Sequence, residues 1–311
     1  MRGRAETDLK WDAKTMNVLK NCPSILNDYY YSLIDKTRMT AYRYISYVRD
    51  FLNSVDCGDD YSSIRTCDIN RYIQSLDGDN GQSIKATRFY AISNFFEFLM
   101  DEELVDKNPC KRASKPKLKG AKDVVYLTGE EIETMKSNIR KNSTGWCRTR
   151  DMAILILAIR TGLRVTSICE INISDINFDE GFITVVEKGN KIREIPISKN
   201  TMEMLLNWID ERNDMWGTYE RNDALFVSNT RKRISQKTIE RMVKKNSEGI
   251  NKKITPHKLR STCATNLYER TGDIYLVADV LGHANIQNTK RYTSIGQEKK
   301  NKVREIMDGI V

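Results

Sequence analysis

The sequence predicts a mainly α protein with one small β-sheet, built as two domains. Three observations lead there. Apolar residues recur at three- and four-residue spacing through much of the chain. Two β-rich runs, "FITVVE" at 182–187 and "KIREIPI" at 191–197, flank a "KGN" turn suited to a tight hairpin. Residues 107–122, "KNPCKRASKPKLKGAK", hold seven basic residues, two prolines, one glycine and no acid, which is the composition of a connector.

Taken in order, 38–54, "RMTAYRYISYVRDFLNS", puts Tyr42, Ile45, Val48 and Phe51 on one helical stripe. The stretch "SIKATRFYAISNFFEFLM" at 83–100 repeats that pattern after the loop "DGDNGQS", with Ser83 as the expected cap. Between them a short helix is expected around "CDINRYIQSL", capped by Asp68. These elements make an all-helical first domain, residues 1–112, followed by a basic linker over 113–122. Thr128 and Glu131 in "YLTGEEIETM" then form a capping box that opens the second domain, residues 123–311.

In that domain the apolar helix "RDMAILILAI" runs into "RTGLR", where Gly162 suits the left-handed position after a helix and Arg164 emerges just past the turn. The hairpin puts Lys188 at its tip. Helical patterns return beyond residue 200, including "SQKTIERMVKKN" behind a cap at Ser235. The tail "KKNKVREIMDGIV" carries Val303, Ile306, Met307 and Ile310 as the apolar stripe of a terminal helix.

Composition limits the function. The longest apolar run, "MAILILAI", is too short to span a bilayer, and "MRGRAETDLKWDAK" has no apolar stretch after its basic residues, so neither a membrane protein nor a secretory leader is expected. Seven cysteines without a Cys-x-x-Cys pair argue against a disulfide framework and a zinc site, and reduced thiols in the cytoplasm are expected. A net charge of +9 over 311 residues points to an anionic partner, nucleic acid being the commonest.

The chemistry converges on the two histidines. In "ITPHKLR", Thr255 suits the N-cap and Pro256 the first helical position, so His257 and Arg260 share a face in a turn whose free N–H groups favour an anion, a seat for phosphate. His283 follows, and Tyr292 lies nine residues beyond it, in a basic setting. Two histidines without thiolate or carboxylate partners do not make a metal site. A serine or cysteine nucleophile beside His283 stays open on the residues alone. With no G-x-S-x-G elbow and no P-loop, Tyr292 is the candidate nucleophile.

Five pieces, "NPCKR", "TGLR", "EKGNKIREIPI", "HKLR" and "LGHANIQNTKRYTSI", stand in the order and spacing of one family: the chain resembles a tyrosine recombinase of the lambda-integrase family, nearest in layout to the Xer-type enzymes. The resemblance implies an N-terminal all-helical SAM-like core-binding domain and a mixed α/β catalytic domain. It assigns Arg164, Lys188, His257, Arg260, His283 and Tyr292 to catalysis. Lys115, Lys117 and Lys119 in the linker, with Lys191 and Arg193 beside the hairpin tip, are the expected DNA contacts. It also implies cleavage and ligation through a 3′-phosphotyrosyl intermediate with no metal, cofactor or ATP. The implied partners are double-stranded DNA with inverted-repeat core sites, a homotetramer on synapsed sites with the tail docking in trans, and accessory DNA-bending proteins, in nucleoid-associated cytoplasm and without a membrane. One departure stands out: the family carries an acid three positions after its first arginine, where this chain has Ser167, with Glu170 one turn further on as a substitute. The competing reading is a DNA-binding regulator on the same fold with a dead site.

Overall fold

A computed structural model describes residues 2–55, 57–76, 81–116, 124–187, 191–216, 223–283, 285–290 and 292. The chain divides into two compact units, Met1–Gly120 and Ala121–Val311.

The first unit is helical throughout: α1 (Arg2–Leu19), α2 (Ile25–Ser32), α3 (Arg38–Leu52), α4 (Thr66–Ser75) and α5 (Gly81–Asp101). The stripe expected on α3 is there, with Ile45, Val48 and Phe51 fully buried and Tyr42 half-buried against Trp11. Its core is aromatic, Tyr29 meeting Phe95 and Phe98 at ring-centroid distances of 5.1 and 5.4 Å. Two expected caps differ. Ser83 lies inside α5, which starts at Gly81. Asp68 stands three residues into α4, where its carboxylate accepts the N–H of Arg65 at 3.0 Å, so it closes the helix start from within. The expected linker also begins later: Ala113 is buried in this core, and the Ser114 N–H donates to Asn70 Oδ1 at 3.0 Å.

The second unit contains α6 (Gly129–Asn142), α7 (Trp146–Thr161), α8 (Val165–Glu170), strands β1 (Ile176–Asn177), β2 (Phe182–Glu187) and β3 (Lys191–Pro196), then α9 (Lys199–Trp216), α10 (Gln236–Asn246), α11 (Pro256–Thr271), α12 (Ile274–Leu281) and α13 (Gln287–Lys290). The sheet is antiparallel in the order β1-β2-β3, with Val185 opposite Arg193 and Glu187 opposite Lys191. Strand β1 has only two residues, too few to leave an alternating pattern in the sequence. The capping box of α6 forms as expected, Thr128 N–H reaching Glu131 Oε2 at 2.8 Å and Glu131 N–H reaching Thr128 Oγ1 at 3.3 Å. Ser235 likewise accepts the Thr238 N–H.

Helix α7 is the centre of this unit. It is apolar around most of its circumference and is packed by α6, α9 and α11, so its C-terminal end and the turn beyond it sit inside the protein rather than on its surface. Among the described residues no helix is long and apolar enough to cross a membrane.

Candidate active site

The site grows from the end of α7. Gly162 takes the left-handed conformation at φ 62° and ψ 19°, its N–H donating to Ala158 O at 3.1 Å. A Cβ there would stand 2.6 Å from Leu281 Cδ2 and 3.1 Å from Cys263 Sγ. Glycine is therefore required twice, by the backbone angle and by the approach of α11 and α12. The turn delivers Arg164 to the N-cap position of α8 with extended backbone and an exposed side chain. Gly162→Ala is expected to destabilise the second unit by roughly 2–4 kcal/mol, strain adding to overpacking. Urea melts of the full chain followed by tryptophan fluorescence would show it, and an unchanged midpoint would refute the packing argument.

Helix α11 begins at Pro256 after Thr255, as the sequence indicated, although the Thr255 side chain makes no capping hydrogen bond. His257 is exposed in the first turn, whereas Arg260 is only 3% exposed. Arg260 donates from Nη1 to Gly162 O and from Nη2 to Leu281 O, both at 2.5 Å. It thus joins the C-terminal ends of α7 and α12, where helix carbonyls carry partial negative charge.

Helix α12 ends at Gly282, also left-handed at φ 62°, and the His283 N–H closes the turn on Ala278 O at 2.9 Å. Its last carbonyls are held by arginines far away in sequence. Arg193 Nη1 donates to Asp279 O at 2.7 Å and to Val280 O at 2.6 Å, and Arg260 takes Leu281 O. The last turn before His283 is gripped from β3 and from α11. Arg193, read from sequence as a DNA contact, here ties the hairpin strand to α12, a role that sequence reasoning missed.

Between these ends lies a cleft of about 440 Å³, lined by Arg164, His257, Arg260 and His283 with Leu163, Val165, Thr166 and Pro256. Among the described residues no acidic side chain lines it. Two permanent cations, two imidazoles and the α11 N-terminus make it suited to a phosphodiester, the planar guanidinium forks matching non-bridging oxygens. Ser167, where an acid was expected, is buried, and Glu170 is exposed at the far end of α8. The nearby Cys263 thiol is pushed up to about 11 by burial, against the opposing pull of the Arg260 charge. It stays protonated at neutral pH, and this disfavours the cysteine alternative beside His283. Among the described residues no three His, Cys, Asp or Glu side chains gather to hold a metal ion.

Tyr292 is not in this cleft. It is 0% exposed and packs with Ala264, Val277 and Leu281 in a small cluster of its own, with its N–H on Thr289 O at 2.9 Å. The structure therefore brings together four of the six expected catalytic residues and holds the fifth apart. Lys188, Lys117, Lys119 and the tail stripe from Val303 to Ile310 lie outside the described residues, as does the side chain of Lys191. Lys115 is exposed.

Residues 125–299 match the model of the phage integrase family. The chain is 30% identical over 241 residues to the tyrosine recombinase XerC of Escherichia coli O1:K1 / APEC, the match covering 75% of this chain and 78% of that protein. Among solved structures it is similar to XerA recombinase, at 28% identity and a TM-score of 0.51 over 91% of this chain and 96% of that one. It shares the fold of XerH recombinase bound to palindromic difH substrate in a post-cleavage complex, at 18% identity and a TM-score of 0.74 over 97% of this chain and 90% of that one. It also shares the fold of a lambda integrase dimer bound to a COC′ core site, at 21% identity and a TM-score of 0.69 over 86% and 94%.

Proposed function

The chain belongs to the phage integrase family and is a tyrosine-type site-specific DNA recombinase, and from that premise we propose that it breaks and rejoins double-stranded DNA through a 3′-phosphotyrosyl link, without metal or ATP. The observation that carries the reading is the cleft: two arginines and two histidines converge there, with no acidic residue among the described residues of its lining. Such a site can stabilise the charge that builds on a phosphate oxygen without a metal ion.

In this reading the Tyr292 hydroxyl oxygen attacks the phosphorus while the bond to the 5′ oxygen breaks. Arg164 and Arg260 hold the non-bridging oxygens. Lys188 protonates the leaving 5′ oxygen, and the histidines hydrogen-bond the transition state and help move the tyrosine proton. The phosphotyrosyl bond conserves the energy of the phosphodiester, so a 5′ hydroxyl of another strand can reseal the DNA. The partners that fit are DNA with inverted-repeat core sites and three further copies of this chain, with the tail docking into a neighbour and accessory bending proteins shaping the DNA. The setting would be a mobile or chromosomal element in the cytoplasm. Relatives of similar fold support the assembly, among them a lambda integrase tetramer bound to a Holliday junction.

The test is adduct formation on a nicked suicide substrate in EDTA without ATP, with a second arm in which sulfur replaces the bridging 5′ oxygen. Lys188→Ala is expected to be strongly impaired on the oxygen substrate and largely restored on the sulfur one, whose leaving group needs no acid. An Arg164→Ala defect should persist on both. No adduct from the wild type would leave the dead-site regulator; equal Lys188→Ala defects on both substrates would reduce Lys188 to a DNA contact.

A further inference from the structure

We propose that Thr289 is a positioning residue that sets the tautomer of His283 and, through its own carbonyl, anchors the turn carrying Tyr292. The proposal rests on the recombinase reading for its role in cleavage, but its geometry stands on the contacts alone.

The Thr289 side chain is 0% exposed, and its Oγ1 lies 2.9 Å from His283 Nδ1. Among the described residues that ring nitrogen is the hydroxyl's one hydrogen-bond partner. A buried O–H that donates to nothing is costlier than a lone pair that accepts nothing, because oxygen has a second lone pair and the hydroxyl only one proton. The hydroxyl therefore donates and Nδ1 accepts. With Nδ1 accepting, the neutral ring carries its proton on Nε2. His283 lines the cleft with Nδ1 committed to Thr289, and with this tautomer any hydrogen bond made by Nε2 is a donated one. That makes His283 a hydrogen-bond donor, and leaves His257, whose exposed ring is on another element, as the better candidate to accept the tyrosine proton.

The same residue reaches the nucleophile. Thr289 N–H donates to Ile286 O at 2.8 Å, and Thr289 O accepts the Tyr292 N–H at 2.9 Å. One buried threonine on α13 thus fixes a ring on its side-chain face and the start of the tyrosine turn on its backbone. Its sequence signal was present but unread: a hydroxyl residue six positions after the histidine and three before the tyrosine.

Valine is nearly isosteric with threonine and serine keeps the hydroxyl, so the pair separates shape from hydrogen bonding. Thr289→Val in the full chain is expected to cut the rate of adduct formation about tenfold to a hundredfold, as loss of an orienting partner does for other histidines, with DNA binding unchanged. Thr289→Ser is expected to restore most of the rate. Since the chain has only two histidines, ¹⁵N spectra of histidine-labelled protein give two ring systems, assigned with His257→Gln. Wild-type His283 should show a protonated Nε2 and a bare Nδ1, and Thr289→Val should lose that preference. A wild-type His283 protonated on Nδ1, a valine variant that cleaves like the parent, or a serine variant as impaired as valine would each overturn the proposal. The spectra read the tautomer even in a protein that cleaves no DNA, so failure of the recombinase reading would be seen separately.

Discussion

A Tyr292→Phe protein is expected to bind its DNA site normally and to form no covalent adduct on a nicked suicide substrate. The change removes one oxygen atom, and the ring it leaves is the right shape for the apolar cluster of Ala264, Val277 and Leu281, so the fold should be retained. In the proposed mechanism this hydroxyl is the nucleophile, and removal of a nucleophile costs on the order of 10⁴-fold or more. Gel-resolved adduct against filter-bound complex gives the two numbers. Normal adduct yield would remove Tyr292 from the reaction and return attention to other hydroxyls near the cleft.

Arg260→Ala should fail in two measurable ways. Cleavage should fall by about 10²–10³-fold, the cost of losing one preorganised donor to developing phosphate charge. Stability should fall as well, because the carbonyls of Gly162 and Leu281 lose their bonds inside the protein, at about 1–3 kcal/mol for each buried acceptor left unsatisfied. Arg260→Lys keeps the charge without the fork. It is expected to regain part of the lost melting temperature and little of the cleavage, since one ammonium cannot serve both helix ends and a phosphate together. Full cleavage by Arg260→Ala would remove the residue from the site, and an unchanged melting temperature would show that water replaces it at both carbonyls.

Much of this site was legible because it is written in local chemistry. Gly162 announces a helix end, Thr128 with Glu131 and Ser235 announce helix starts, and Pro256 marks the first turn of α11; each signal acts over three or four residues. What was not legible is what crosses the chain. Arg193 meets α12 across 86 residues, Arg260 meets Gly162 across 98, and Arg233 meets the end of α8 at Cys169 O across 64. An arginine looks the same in sequence whether it faces DNA or a helix carbonyl, so the tie from Arg193 to α12 left no signal there. The Asp68 and Ser83 caps were misplaced for a different reason: several polar residues near a helix start could each serve, and the start shifts by two or three residues with the choice. The burial of Tyr292 was equally hidden, since its neighbours Ala264, Val277 and Leu281 come from two other helices.

That burial sets an entry toll on the reaction. At 0% exposure the Tyr292 hydroxyl cannot be touched by a phosphodiester in this conformation, so the proposed mechanism requires a minor conformer with the ring withdrawn from its pocket. Exposing an aromatic ring of this size costs about 1.5–3 kcal/mol, which puts the competent fraction between roughly one molecule in ten and one in two hundred. Whatever DNA or neighbouring subunit favours the released ring can raise the rate by at most the inverse of that fraction. The small apolar cluster thereby caps the gain that assembly can bring through this step, and larger or smaller side chains at Ala264 or Val277 would move the cap.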